Sequence, residues 1–272
     1  MKSMIICIAL LVSASAFEAS PGENAKIGVA LYSFHKHTLE DALKMAQNSG
    51  VKYMEGFSFY KLGGSFGNKT MKDVSDEEIV QMKEQFKAHH LSMTSMYVGD
   101  AKDVHEWKQY FELGKKFGIK YFVCEPPVSQ LDLIDSLGTV YNIKIAIHEH
   151  SKESGSIYWH PDSVLAAIKG RKNIGACADI GHWVRSGLDP VVCVQKLAGH
   201  IIGMHMKDVD QSNEDVDPGT GRVNFDALFR ELKRQRFNGY MQIECEHNMD
   251  NNLADVKKAI QYYDAKIKAI GY

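Results

Sequence analysis

The sequence predicts an α/β protein, a single-domain (β/α)8 TIM barrel, and three observations carry that expectation. From Lys26 onward, short apolar runs of strand length alternate with helical periods eight times, the pattern of a parallel sheet with helical crossovers. The runs are mostly continuous rather than alternating apolar and polar, as befits strands covered on both faces. A junction of helix followed by Gly-Ile/Val-Lys-Tyr recurs, as SGVKYMEG and FGIKYFVC, and right-handed crossovers then leave few topologies. The length, 272 residues, is close to the roughly 250 of one barrel.

The first residues stand apart from that repeat. Lys2 supplies a positive region, Met4 to Val12 an apolar stretch and Ser13 to Ala16 a small-residue cleavage site, the layout of a secretory signal peptide. The apolar part is too short to span a bilayer; the competing reading is a buried first strand or helix. The expected organisation is a signal peptide over 1–16, cleaved near Ala16, a polar leader over 17–25 and the barrel over 26–272. The mature protein is then secreted or periplasmic. Cys7 has no lipobox after it, so no lipoprotein is expected.

The expected strands are Gly28–Ser33, Tyr53–Phe57, Ser92–Tyr97, Tyr121–Cys124, Lys144–His148, Ile174–Asp179, Ile201–His205 and Tyr240–Glu244. Between them lie helical periods such as LEDALKMAQNSG, SDEEIVQMKEQFKAHH and NFDALFRELKRQRFNG. Ser75 with Glu78 forms a capping box, and Gly50, Gly118 and Gly239 mark helix ends. The run Gly63-Gly64-Ser65-Phe66-Gly67 reads as a flexible loop and a candidate lid. A final helix over Asn252 to Ile270 closes the barrel, and no second domain is apparent. The competitor is a doubly wound open sheet, but no GxGxxG follows the first strand and no GxxxxGKS occurs, so nucleotide binding has no support.

A chain 44% hydrophobic and 24% charged is an ordinary globular protein, and its net charge of −2 predicts no pull towards nucleic acid or an anionic membrane. Cys124, Cys177, Cys193 and Cys245 form no CxxC pair and read as small buried hydrophobes rather than disulfides.

Four strand ends carry an imidazole or carboxylate: His148 in KIAIHEH, Asp179 in ACADIGH, His205 in IIGMHMKD and Glu244 in GYMQIECE. Barrel strand ends are where chemistry sits. Two imidazoles and two carboxylates suit a borderline divalent cation such as Mn²⁺, Zn²⁺ or Co²⁺, with Mg²⁺ also admitted. Side chains alternate along a strand, so His148 and His150 share a direction while Glu149 points the other way. By the same count His205 goes with Lys207 and Glu244 with Glu246, and His182 follows Asp179 in the turn. His148, Asp179, His205 and Glu244 are thus the expected metal ligands, with His150, His182, Lys207 and Glu246 in a ring above them. The plainer reading makes each histidine a hydrogen-bonded structural group and each acid an N-cap.

The segments D-I-G-H (Asp179–His182), H-M-K-D (His205–Asp208), P-G-x-G-x-x-N-F (Pro218–Phe225) and I-E-C-E (Ile243–Glu246) resemble the xylose isomerase-like TIM barrels. That superfamily holds sugar isomerases, ketose 3-epimerases, inosose dehydratases and metal-dependent AP endonucleases. The resemblance spans strand one to helix eight and is strongest over the last hundred residues or so. It implies one divalent ion at the ends of strands five to eight, polarising a substrate carbonyl and hydroxyl. It also implies Asp179, His205 and Glu244 as ligands, and His182 and Lys207 as groups contacting substrate. One departure stands out: the family's epimerases use a Glu at the end of strand five as ligand and acid/base, where this chain has His148. Glu149 could replace it only through a bulge.

The expected chemistry is proton removal α to a sugar carbonyl, through an enediolate the metal stabilises. Glu244, His150, His182 and Lys207 are the candidate catalytic groups, and Glu55, Glu125, Trp183 and Glu246 the candidate substrate contacts. For Glu55 and Glu125, helix capping and surface solvation are equal readings. Tyr32, Phe34, Phe57, Phe59 and Tyr97 offer rings for stacking or core for packing. One base permits isomerisation, or elimination as in barrels that cleave 3-keto-glycosides. Expected partners are a small carbohydrate or glycoside, with no nucleic acid and no membrane; a homo-oligomer is left open. A nuclease and a non-catalytic sugar-binding barrel are the other classes, and the charge argues against the first.

Overall fold

The computed structural model describes residues 25–272; the expected signal peptide and nearly all of the leader lie outside the described residues. Eight parallel strands close into one barrel: β1 (Lys26–Ala30), β2 (Tyr53–Phe57), β3 (Ser92–Tyr97), β4 (Tyr121–Cys124), β5 (Lys144–His148), β6 (Ile174–Asp179), β7 (Ile201–Met206) and, after a small antiparallel hairpin of β8 (Asp208–Val209) and β9 (Asp215–Val216), β10 (Tyr240–Ile243). Closure comes from β1, which pairs with β10 on one side, Lys26 opposite Tyr240, and with β2 on the other. The open-sheet alternative is thereby excluded.

The helices α1 (Leu39–Ser49), α2 (Asp76–Ala88), α3 (Val104–Phe117), α4 (Leu131–Tyr141), α5 (Pro161–Ile168), α6 (Ile180–Arg185), α7 (Pro190–Lys196), α8 (Phe225–Arg234) and α9 (Leu253–Ala269) surround the barrel. Their ends follow the sequence signals. Ser75 and Glu78 make the reciprocal capping box at α2, and Gly50 and Gly118 close α1 and α3 in the left-handed region. Gly239 instead lies at the start of β10, where its backbone passes close to the Ile202 carbonyl.

Two expectations shift. The first strand begins at Lys26 and stops at Ala30, because Leu31–Phe34 tighten into a 3-10 turn that buries Leu31 and Phe34. Ser33 then completes the pairing from its side chain, donating to the Ile243 carbonyl and accepting from the Cys245 amide at 2.9 Å. The glycine-rich stretch after β2 is no free lid. Leu62 and Phe66 are buried, the Leu62 carbonyl caps the start of α1, and Lys61 bridges to Thr70. Burial of two apolar side chains outweighs the backbone freedom of the glycines.

A large core lies between strands and helices, and a smaller one fills the barrel interior around Tyr121, Val123, Ala146, Cys177 and Tyr240. Gly203 is needed there, since a Cβ would sit 2.6 Å from the Tyr121 hydroxyl. These rings plug the barrel, so polar side chains further along the strands face only its C-terminal mouth. All four described cysteines are buried and unpaired. Among the described residues, no helix is long and apolar enough to cross a membrane.

Candidate functional site

His148, Asp179, His205 and Glu244 come together at the mouth, each buried. Register explains this: Asp179 is the cross-strand partner of His205, and His148 is the partner of Cys177, two residues below Asp179. The Asp179 carboxylate is the hub. Its Oδ2 lies 3.4 Å from His148 Nε2, 3.6 Å from His205 Nδ1 and 3.2 Å from Lys207 Nζ. Its Oδ1 accepts from the His182 amide at 2.9 Å, capping α6. Capping and clustering are thus served by one side chain, an oxygen for each.

His205 is held from across the barrel. Its Nε2 lies 2.7 Å from Glu55 Oε1, while the other Glu55 oxygen accepts from the Ser95 hydroxyl at 2.7 Å. Glu55 is fully buried in these bonds and orients His205. His205 Nδ1 is buried and has no partner with hydrogen-bonding geometry, although Glu244 Oε2 is 3.3 Å away.

Lys207 reaches into the same space. Its Nζ donates to Glu244 at 2.7 Å and to Glu246 at 2.6 Å. Its stem passes over Gly181, where any Cβ would collide with it, which gives the glycine of D-I-G-H a physical reason. Glu246 is fixed by the hairpin, its amide donating to Asp215 at 2.8 Å. Asp208, after Lys207, accepts from the amides of Gly219, Gly221 and Val223 and thereby folds the P-G-x-G loop. Neither the hairpin nor this role of Asp208 is foreseen in the strand pattern; the adjacency of H-x-K-D and P-G-x-G is the only sequence trace.

Glu149 faces away from the mouth and is fully buried, with neither carboxylate oxygen hydrogen-bonded. Burial pushes its pKa well above the ordinary carboxylate value. Trp183 lies beside it and is fully buried. The expected stacking surface is therefore corrected to core, because α6 turns the indole outward while His182 stays at the mouth. Phe34 is likewise core, whereas Phe57 and Tyr97 stack 5.5 Å apart at 10° and Phe59 stands over their edges, 45% exposed.

Glu125 ends β4 beside His148, its Oε1 3.4 Å from Nδ1; it also accepts from the Tyr97 and Ser156 hydroxyls. Burial alone would raise its pKa, but the bonds from His148 and Ser156 outweigh that and hold it at about 2. Burial would likewise lower His148 and His205 and raise Asp179. The oppositely charged neighbours win at each, so both imidazoles are raised and Asp179 is held well below the ordinary range. His150 and His182, with ring centroids 4.2 Å apart, behave oppositely. Burial and nearby cations lower both, His182 to about 2. Both are neutral, but an imidazole held at about 2 is a poor proton acceptor, so His150 is the better base of the two.

A divalent ion fits this donor set. One ligand atom each of Asp179, His205 and Glu244 lie within 4.8 Å of one another, and so do those of His148, Asp179 and His182. The unpartnered His205 Nδ1, with Nε2 tied to a carboxylate, is the arrangement of a metal-binding imidazole with its outer-shell acid.

The profile of the xylose isomerase-like TIM barrel matches residues 43–266. The chain belongs to that family. It is similar to an uncharacterised protein of Parabacteroides distasonis, 34% identical with a TM-score of 0.72, over 89% of this chain and 98% of that one. It also matches an inosose isomerase of Bacillus velezensis, 22% identical over 76% of this chain and 82% of that protein. A 3-keto-D-glucoside 4-epimerase of E. coli shares the fold at 13% identity and TM-score 0.70, over 89% of this chain and all of the other. The barrel thus has the xylose isomerase-like fold that these proteins share.

Proposed function

We propose that the chain is a divalent-metal-dependent carbohydrate enzyme, exported by its signal peptide, that removes the proton α to a sugar carbonyl. The observation that carries this reading is the buried cluster in which Asp179 meets both His148 and His205, and His205 meets Glu244, with its orphaned His205 Nδ1. Those four side chains would hold the ion. When bound, it stabilises charge on the ketone and adjacent hydroxyl oxygens of the substrate. The chain's own residues supply the rest. His150, the less depressed of the two mouth imidazoles, takes the α-proton, with His182 packed beside it. Lys207, held by Glu244 and Glu246, donates to a substrate oxygen, and Glu246 and Glu125 accept from hydroxyls. Glu55 keeps His205 in one tautomer.

Base distribution favours one-base chemistry. Glu125, His148, His150 and His182 stand on the β4–β6 side, whereas Glu244 and Glu246 after β10 are both bound by Lys207, and the β1–β3 side offers Tyr32, Phe57, Phe59 and Tyr97, with Glu55 already engaged. Two-base epimerisation needs a base on each face of the carbon. A single base suits isomerisation, or β-elimination from a glycoside oxidised at C3. The mouth holds one buried lysine committed to carboxylates and no free basic cluster among the described residues, which favours neutral sugars over sugar phosphates.

Solvent exchange tests this. Mn²⁺-loaded protein is incubated in D₂O with free keto-sugars and C3-oxidised glycosides, and deuterium at the α-carbon is followed by NMR. Exchange with at least one sugar, lost on chelation, is expected; no exchange with any of them overturns the reading.

A further inference from the structure

Beside the cluster, beyond Glu125, a cavity of about 410 Å³ opens between the loops after β3 and β5, its walls including Tyr97, Asp100, Glu125, Ser156 and Ile157. It falls within the size range of small-ligand sites, roughly 300–1,000 Å³. Two side chains join it to the reaction centre. Tyr97 packs edge-on against His148, ring centroids 5.3 Å apart, and its hydroxyl bonds to Glu125 at 3.1 Å. Glu125 meets His148 with one oxygen and Ser156 with the other.

The far wall is built. Ser156 is tied to Glu125 at 2.5 Å and accepts from the Tyr158 amide, while the buried Tyr158 hydroxyl donates to the Pro126 carbonyl at 2.6 Å. Between these anchors Ile157 is 56% exposed. One exposed apolar side chain is ordinary on a protein surface, but Ile157 lines the cavity on a loop pinned at both neighbours. On the other side of Tyr97 stands the half-exposed Phe59. The lining is mostly polar, with the carboxylates of Asp100 and Glu125 and the Ser156 hydroxyl, and Tyr97 and Ile157 add apolar faces. Carboxylates accept from sugar hydroxyls and repel phosphate.

We propose that this cavity is a second sugar subsite. It holds the outer ring of a disaccharide whose inner, reacting ring lies over His148, so that the preferred substrates are neutral disaccharides rather than monosaccharides. This rests on the carbohydrate reading above and narrows its substrate class.

The probe is cellobiose, with glucose and phenyl glucoside as comparisons, titrated into full-length protein carrying ¹³C-labelled isoleucine methyls. Cellobiose is expected to shift the Ile157 δ-methyl saturably, and glucose to leave it in place. Ile157→Arg is expected to weaken cellobiose binding about tenfold, the scale of one apolar contact group. In solvent exchange, the ratio of kcat/KM for C3-oxidised cellobiose over C3-oxidised glucose should fall by the same factor in that variant. An unmoved Ile157 methyl, a ratio indifferent to Ile157→Arg, or tighter binding of phenyl glucoside than of cellobiose overturns the subsite. A shifted methyl with no exchange of any sugar keeps the subsite and overturns the reaction.

Discussion

Glu55 and His205 meet across the barrel, from β2 and β7, with Oε1 and Nε2 2.7 Å apart and both side chains buried. The bond settles which imidazole nitrogen faces the cluster, since Nε2 is committed and only Nδ1 turns to Asp179 and Glu244. Glu55→Gln keeps the size but weakens the acceptor and removes its charge. Outer-shell changes of this kind cost about 10–100-fold in metal affinity. Titration calorimetry with Mn²⁺ should give a loss in that range while circular dichroism stays native. Undiminished affinity would mean that His205 is no ligand.

How far the sequence prefigures this site differs from residue to residue. Strand ends are legible because burial on both faces makes an apolar run and the turn to polarity ends it; β2 through β6 lie where that pattern puts them. Alternation correctly points His148 inward and Glu149 outward. The Glu55–His205 bond is not legible because a Glu in a strand looks the same whether it meets solvent, substrate or a histidine 150 positions away. Trp183 is misread because its direction is set by the short α6, whose start depends on the Asp179 cap. The loop at Gly63 is misjudged because glycine content records freedom, whereas Leu62 and Phe66 decide its packing.

Lys207 stands among Asp179, Glu244 and Glu246 with its side chain almost wholly buried. Lys207→Met removes the ammonium and leaves the carboxylates facing one another. Breaking a buried pair from one side costs about 3–5 kcal/mol, so the metal-free variant should lose that much in urea denaturation. A divalent ion supplies the missing charge, so added Mn²⁺ should restore more stability to the variant than to the parent. Equal stabilisation of both would show that the ion binds elsewhere.

His148 and Glu149 are neighbours with opposite outlooks, and a pair of variants separates them. His148→Ala should abolish both Mn²⁺ binding and solvent exchange, whereas Glu149→Gln should keep both. The second also has a stability signature. The pKa of Glu149 is raised on folding, so its proton is held more tightly folded than unfolded. Native stability therefore falls as pH rises above the ordinary value of 4.5. Glutamine mimics the protonated acid, so the variant's advantage should grow from acid to mildly alkaline pH. A difference that does not change with pH would place an ionised carboxylate there.

His247 gives a slope of the same sign in a higher pH window, outside the mouth. Its Nδ1 lies 3.5 Å from Asp215, and Nε2 lies 3.5 Å from Asp217 and 3.9 Å from Asp255. The bond to Asp215, followed by the contact with Cys245, raises its pKa from 6.5 to about 10. A cation favoured by folding contributes fully below the unfolded value and is lost as pH climbs through the folded one. That contribution should therefore be complete below pH 6.5 and fade towards about pH 10. The ring is over a quarter exposed, so solvent screening keeps the effect modest. Urea denaturation at both ends of this window should show the parent losing more stability than His247→Gln. The shared loss that remains belongs to other groups, and identical slopes would mean that His247 is already neutral in the folded protein.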